Sequence, residues 1–449
     1  MVKRNRRRPL VKITGGGTGI VNHAGARLVA DLADRVGLTA GLSDAMAPTK
    51  QRRRGYDRGE VLVDVAVMLA DGGKTISDVA VLRDQSELFG EVASHATVWR
   101  ALEAVDDAAL ERVKIARAQA RANAWAAGAD PGFYVIDLDA TLVGSHSEKQ
   151  GAAPTYKKGF GFHPLLAYLD ATGEALAGLL RPGNAGSGTA TDHVKVLDDA
   201  LAQLPIDPAN SEVIVRSDSA GWSHGFIEHC IDVEVNFTIG HQLTVEIAKT
   251  LVDIPKRAWQ PAISADGTDW RDHGEVVEIT HLIKDSVFNT TRPWPDGLRM
   301  IARREIPHPG AQLTFTDING HRYQVFVTNL TNPDIAYLEA LYRGRGRVER
   351  QICDSKATGL TNLPSHSFAI NHTWLQLVLC AHDLLAWTRT LTLDGELAKA
   401  EPKRLRYCLF HTAARITRTS RQTTCKLATT WPWTTNLTTA FDRLHALRI

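Results

Sequence analysis

Cysteine is scarce in this 449-residue chain: Cys230, Cys353, Cys380, Cys408 and Cys425 lie far apart, with no Cys-x-x-Cys spacing. An odd, scattered set argues for reduced thiols in a cytoplasm, and against a disulfide scaffold or a zinc ribbon. No apolar run reaches 18 residues, so no segment reads as membrane-spanning. The basic start "MVKRNRRRPL" is followed by "VKITGGGTGI", which lacks the apolar stretch of a secretory signal. That second segment also lacks the Gly-Lys-Ser/Thr ending of a phosphate loop, so a plain turn is expected there. No internal repeat or low-complexity tract is present. A cytoplasmic protein is expected, with two or three domains on length alone.

Net charge is nearly absent as well, at +2, but the balance conceals a division. Met1 to Glu60 holds 13 Lys+Arg against 5 Asp+Glu, and Arg343 to Ile449 holds 16 against 7. Val61 to Tyr342 holds 23 against 38, so the centre is acidic and both ends are basic. Basic blocks at the ends commonly mark arms that bind nucleic acid; basic ends that merely aid solubility are the other reading.

From His23 to about Asp130 apolar residues recur three and four apart, which predicts helices. Within them "ASHATVWRALEAV" predicts a short helix capped by Ser94 or Thr97, with Val98, Leu102 and Val105 inward and Arg100 outward. It is similar to the second helix of a helix-turn-helix unit, and equally to one more packed helix. At Phe133 the period changes to two. "FYVIDLDATLV", "FHPLLAYLDATG" and "EALAGLLRPG" read as successive strands, and the order β-β-β-α-β-α-β then predicts a mixed sheet carrying helices. Residues 241–329 hold short strand-like runs between loops, a β-rich insertion. Helix returns after Asn332, a plausible cap, with Pro333 at the first helical position. The expected organisation is a helical region over 1–130, an α/β core over 131–240 and 330–392 interrupted by the insertion, and a basic tail over 393–449.

The stretch "YRGRGRVERQICDSK" sets Glu349 among four arginines and a lysine. On an ideal helix Tyr342, Arg345, Glu349 and Lys356 fall in one wedge roughly 60° wide, while Arg343, Arg347 and Arg350 face elsewhere. Such a face suits a phosphodiester backbone, with Arg and Lys on phosphate and Glu on a divalent metal. An exposed helix with incidental ion pairs is the plain alternative. Partners for Glu349 are available on strands. Asp137 and Asp139 sit two apart in "VIDLDATLV" and share a face, and Asp218 ends "VIVRSD" at a carboxyl strand edge. Two strand aspartates and a helix glutamate can hold two Mg²⁺; each aspartate capping a turn is the other reading.

The spacing Tyr342-x₂-Arg345-x₃-Glu349-x₆-Lys356 resembles the Tyr-Arg-Glu-Lys signature of one branch of bacterial insertion-sequence transposases. "DLDAT" resembles the Asp-x-Thr motif of these Asp-Asp-Glu (DDE) enzymes, which selects Asp139 over Asp137, and "VRSDSAG" resembles their second-aspartate strand. The likeness covers roughly residues 130–390, and Gly346 departs from the large aromatic residue many relatives carry there. It implies an α/β, ribonuclease-H-like mixed sheet flanked by helices, with the β-rich insertion between the second Asp and the Glu and an all-α N-terminal region. It further implies that Asp139, Asp218 and Glu349 hold two Mg²⁺ (Mn²⁺ substituting) and that Tyr342, Arg345 and Lys356 bind DNA phosphate. The implied reaction is cut-and-paste cleavage and strand transfer on terminal inverted repeats and target DNA, by a nucleoid-associated homodimer. Relatives often pass through an end hairpin, for which Trp259, Trp270 or Trp294 would be the aromatic platform; ordinary core is the other reading of each. A metal-dependent nuclease without strand transfer and a non-catalytic DNA-binding regulator remain open as other functions.

Overall fold

The computed structural model describes residues 11–449, apart from 51–54, 187, 208–209, 265–266, 290, 313, 315 and 421. The first ten residues of the basic arm therefore lie outside it. Twelve α-helices of eight residues or more are described: α1 (Ala26–Arg35), α2 (Leu38–Met46), α3 (Arg58–Ala70), α4 (His95–Glu103), α5 (Asp107–Ala124), α6 (Ala190–Leu201), α7 (His224–Asp232), α8 (Val245–Asp253), α9 (Ile335–Arg343), α10 (Val348–Ser355), α11 (Phe368–Thr392) and α12 (Thr434–Ala446). None is long and apolar enough to cross a membrane.

One large mixed sheet contains β1 (Tyr134–Ala140), β2 (Leu165–Leu169), β3 (Ala175–Leu179), β4 (Val213–Ser217), β5 (Asn236–His241), β6 (Gln260–Ile263), β7 (Trp270–Glu278), β8 (Arg299–Glu305), β9 (Asp317–Ile318) and β10 (His321–Thr328). Its order is β6-β7-β8-β10-β5-β4-β1-β2-β3, with β9 paired to β10. β2 runs antiparallel to β1 and β3, whereas β4 and β5 run parallel to β1. The strands between Asp218 and Glu349 do not form a separate sheet. β10 pairs antiparallel with β5 and carries the others outward from it, Val327 opposite Ile239. The apolar run of β5 needs a neighbour on each edge, and β4 supplies only one.

The runs around β1 and β2 are separated by more than a turn. Val143–Gly144, Ala153–Pro154 and Phe160–Phe162 make a small three-stranded sheet of their own. A third sheet pairs Ile20–Val21 with Ala414–Arg418, and so ties the beginning of the described chain to its end.

Leu28 and Leu32 of α1, Leu62 and Leu69 of α3, Leu166 of β2 and Trp374 of α11 belong to one continuous buried cluster. α11 runs through its centre, almost wholly buried. A buried ionic network fastens α5 to this axis. Arg121 donates to Glu174 (3.0 Å) and to Asp383 (2.6 Å), Arg117 donates to the same Asp383 (2.7 Å), and Trp125 and Trp387 donate to Glu174. Arg121, Glu174 and Asp383 each have several partners, as charges this far from water require, whereas Arg117 has Asp383 and a buried Nη2 with no partner.

α4 is capped at Ser94, with Val98, Leu102 and Val105 buried and Trp99 partly exposed. The cap of α9 is Asp334, not Asn332: its carboxylate accepts from the amides of Ala336 and Tyr337, and Asn332 instead accepts from Asp334. A carboxylate at a helix N-terminus adds charge to the hydrogen bond that an asparagine would make.

Candidate active site

β1 lies between β2 and β4 with its carboxyl end at the same edge as that of β4. Asp139 is the next-to-last residue of β1, and Asp218 follows the last residue of β4. The two carboxylates therefore share one rim of the sheet. Asp218 caps a 3₁₀ turn over Ser219–Gly221, its Oδ1 accepting from the Ala220 amide at 2.9 Å. Asp139 Oδ1 accepts from the Ala140 amide. Both line a cleft of about 500 Å³ with Tyr156, His163, His193 and Gly186.

The basic stretch reaches this rim from the other side. It is helical throughout but not of one pitch, because a 3₁₀ turn over Gly344–Arg347 separates α9 from α10. At about 120° per residue a 3₁₀ turn rotates the following face relative to an ideal helix, so the single wedge expected from the sequence does not hold as drawn. The turn is packed closely against β4. Arg216 of β4 donates to the carbonyl of Leu341, and a Cβ at Gly344 would stand 2.4 Å from its guanidinium.

Arg345 emerges from that turn with Nη1 4.0 Å from Asp139 Oδ2. Burial works against its charge, yet Tyr342, Asp139, Asp218 and Asp137 hold the guanidinium above its ordinary value. Tyr342 is stacked on Phe326 of β10 at 4.6 Å, and burial raises its hydroxyl. Glu349 stands exposed in the first turn of α10 and, with Asp218, adds negative potential at Asp139. Burial is the main force on Asp139, and with these two like charges it outweighs Arg345 and the Ala140 amide, pushing the carboxyl to about 6.

Asp218 and Glu349 thus both act on Asp139, across a sequence span of 211 positions (139 to 349, both ends included). They are not drawn tight: among the described residues the only metal-competent trio within 4.8 Å of one another is His23, Asp71 and His411. Lys356 begins the π-helical turn after α10, about 10 Å along the axis from Glu349, and makes no ion pair among the described residues.

Asp137 faces the same way as Asp139 but is fully engaged. Its two oxygens take the Nε and Nη2 of buried Arg216, at 2.7 and 2.6 Å. Burial pushes its carboxyl up to about 6 against the pull of that arginine. Arg216 also reaches Asp170 at 3.0 Å, and Asp170 in turn pairs with Arg347, so β4, β2 and the 3₁₀ turn are tied together beside the cleft. α10 is fastened from its far end, Ser355 bonding to Tyr168 of β2 at 2.8 Å and to His382 of α11 at 2.9 Å.

The sequence reading missed Arg216 and Gly240. An arginine inside "VIVRSDS" was a visible signal, since a buried strand charge requires a carboxylate partner. Gly240 gave none: a Cβ there would meet the Tyr342 hydroxyl at 2.4 Å and the Ser219 amide at 3.0 Å.

The three tryptophans separate. Trp259 is buried beneath Arg304, which sits 4.1 Å over its ring, while Trp270 is exposed on β7. Trp294 stacks on Trp222 (3.8 Å) and on His224 (3.7 Å), just beyond the Asp218 turn.

A family model described as "Transposase DDE domain group 1" matches residues 3–449. No curated protein matches the chain. Among solved structures it is similar to a piggyBac transposase synaptic complex with hairpin DNA, at 10% identity and a TM-score of 0.44, over 86% of this chain and 80% of that one.

Proposed function

The chain belongs to the DDE-domain transposases, and on that premise we propose that it is a cut-and-paste enzyme of the bacterial insertion-sequence kind, in the branch with the Tyr-Arg-Glu-Lys signature. Asp139, Asp218 and Glu349 are its catalytic carboxylates. The observation that carries this reading is the field the three acids share at Asp139, with Arg345 at 4.0 Å. The order β3-β2-β1-β4-β5, antiparallel in its first three strands and parallel in the rest, supports a ribonuclease-H-like core.

The donor set fits a divalent metal. It is all carboxylate oxygen, suited to a hard cation, and its members repel one another until positive charge arrives. Two Mg²⁺ held there, or Mn²⁺ in their place, would supply activation of the attacking water or 3′-hydroxyl and stabilisation of the leaving oxygen. The chain's own groups do the rest. Arg345, buttressed by Tyr342, places a fork of donors where a scissile phosphate must sit, and Lys356 adds a point charge further along the strand. Asp137 keeps Arg216 neutralised, so that Arg216 orients the turn and does not compete for phosphate. The DNA partners are terminal inverted repeats, read by the helical region over 1–130, and target DNA. The basic tail over 393–449 helps the homodimer form or hold DNA at the nucleoid, beside the split core (131–240, 330–392) and its β-rich insertion (241–329).

The test is Glu349→Gln in a Mg²⁺ cleavage assay on DNA carrying the inverted repeats that flank the reading frame. The variant should bind those ends as the parent does and cut them at least 100-fold more slowly. Normal cutting would return Glu349 to the role of a surface ion-pair partner.

A further inference from the structure

The geometry points to a second metal site, for Zn²⁺ or a chemically similar transition ion, formed by His23, Asp71 and His411 well apart in sequence from the carboxylates above. His23 Nδ1 lies 2.5 Å from Asp71 Oδ2, and His411 Nε2 lies 3.3 Å from Asp71 Oδ1 and 2.9 Å from the Asp71 carbonyl oxygen. The two imidazole rings are 4.3 Å apart. One ligand atom from each residue falls within 4.8 Å of the others, uniquely so among the described residues.

Asp71 carries a second, independent sign. It is only 5% exposed, and its Oδ1 is buried with no hydrogen-bond partner although it is aimed at His411. Among the described residues no Lys or Arg makes an ion pair with its carboxylate, although Arg406 is near enough to interact with its charge; its direct partners are these two histidines. A buried carboxylate oxygen left unsatisfied costs free energy that a cation would recover.

The chain goes to some trouble to build the place. His23 is held at φ 56°, in the left-handed region that a non-glycine residue rarely adopts. Its flanks are pinned to the His411 segment, Ala24 N donating to Thr412 O and Gly25 N to Phe410 O, while Val21 pairs with Ala414. Asp71 ends α3 as its C-cap. Three distant parts of the chain therefore converge on one side of the helical layer.

The ligand chemistry selects the ion. Two imidazoles and one carboxylate are the donor set of borderline metals, whereas Mg²⁺ prefers oxygen alone. Bonds of about 2.0–2.1 Å place tetrahedral ligand atoms about 3.4 Å apart. The His411–Asp71 separation already matches, and the His23–Asp71 pair must open by about 1 Å. The ion takes the place of any proton between these imidazoles and Asp71: a neutral ring then carries its one proton on its other nitrogen, and only a ring that was imidazolium releases a net proton to solvent. His411 is 42% exposed along its side chain, so the remaining coordination position faces water. The site would act as a staple, closing the end of the described chain onto its beginning and onto α3.

Full-length protein stripped with a chelator, then titrated with Co²⁺, tests this. One equivalent should give the strong visible absorption of four- or five-coordinate, nitrogen-ligated cobalt, and Zn²⁺ should abolish it. All-oxygen six-coordinate cobalt at the DDE carboxylates absorbs far more weakly, so the two sites are distinguishable. His411→Gln should weaken binding at least tenfold, His23→Gln with His411→Gln should remove the absorption, and Mg²⁺-dependent cleavage should persist in the single variant. No strong absorption in the parent overturns the proposal, as does absorption unchanged in His411→Gln; either result leaves a hydrogen-bonded His-Asp-His clip and leaves the transposase reading untouched.

Discussion

Replacing Asp139 by Asn removes a charge that the metal-free protein holds at a cost. The Asp139 carboxyl is pushed from 3.8 to about 6, with burial the largest cause and Asp218 and Glu349 adding to it. A group whose folded value is raised weighs against the fold when ionised. The penalty is absent below pH 3.8, grows between there and about 6, and is constant above. At about 1.4 kcal/mol per pH unit the ceiling is about 3 kcal/mol. The side chain retains 18% exposure, so solvent relaxation brings the expected gain to between about 1 and 3 kcal/mol. At about 2 °C per kcal/mol for a large domain, Asp139→Asn should melt about 2–6 °C above the parent at pH 8 in chelator. Below pH 4 the difference should vanish. Mg²⁺ should reverse the order, raising the midpoint of the parent and not of the variant. Calorimetric scans from pH 3.5 to 8, with and without Mg²⁺, give the answer. A variant less stable than the parent at pH 8 without metal would refute the reasoning, because Asp139 would then be a structural partner and not a strained ligand.

Asp137→Asn should behave in the opposite sense. It strips buried Arg216 of its bidentate partner and should cost about 3–5 kcal/mol, moderated by Asp170, as read by denaturant unfolding at pH 7. Gly240→Ala should keep the helical circular dichroism of the parent yet cut DNA at least tenfold more slowly, since the new methyl group displaces the Tyr342 hydroxyl or the Ser219 turn; equal cleavage would detach Tyr342 from the site. End binding should weaken about 10³-fold or more between 50 and 200 mM salt if six or more phosphates are neutralised, and a flat titration would remove the basic ends from the interface. Truncation to probe the arm should stop before residue 11 and leave α1 and α2 in place, because Leu28, Leu32, Leu38 and Leu42 are core. Such a variant should retain the melting midpoint of the parent and lose affinity for DNA.

Much of this protein was legible in one dimension because the relevant signals are local. The change from a helical to a two-residue period at Phe133, the acids at strand ends and the spacing of Tyr342, Arg345 and Glu349 each depend on residues within a turn or two of one another. The mixed α/β architecture follows from those periods. Tertiary structure decided what depends on register between remote segments. Asp137 and Asp139 share one face of their strand; the Asp-x-Thr resemblance favours Asp139, but the physical reason Asp137 is occupied, its pairing with Arg216 across β1 and β4, exists only in the tertiary structure. Position 344 has no room for a side chain because the Arg216 guanidinium, 128 positions away in sequence, occupies that space. The insertion runs at β7, β8 and β10 are strands as read, although Thr280–Ile283 is helical and, among its described residues, the run over 311–317 reaches a strand only at Asp317. The union of β10 with β5 rests on backbone hydrogen bonds that no side-chain pattern specifies. His23, Asp71 and His411 are separated by up to 388 positions and are unremarked in sequence. Strand pairing at residues 20–21 and the end of α3 bring them together, and so chain closure, not motif spacing, creates that cluster.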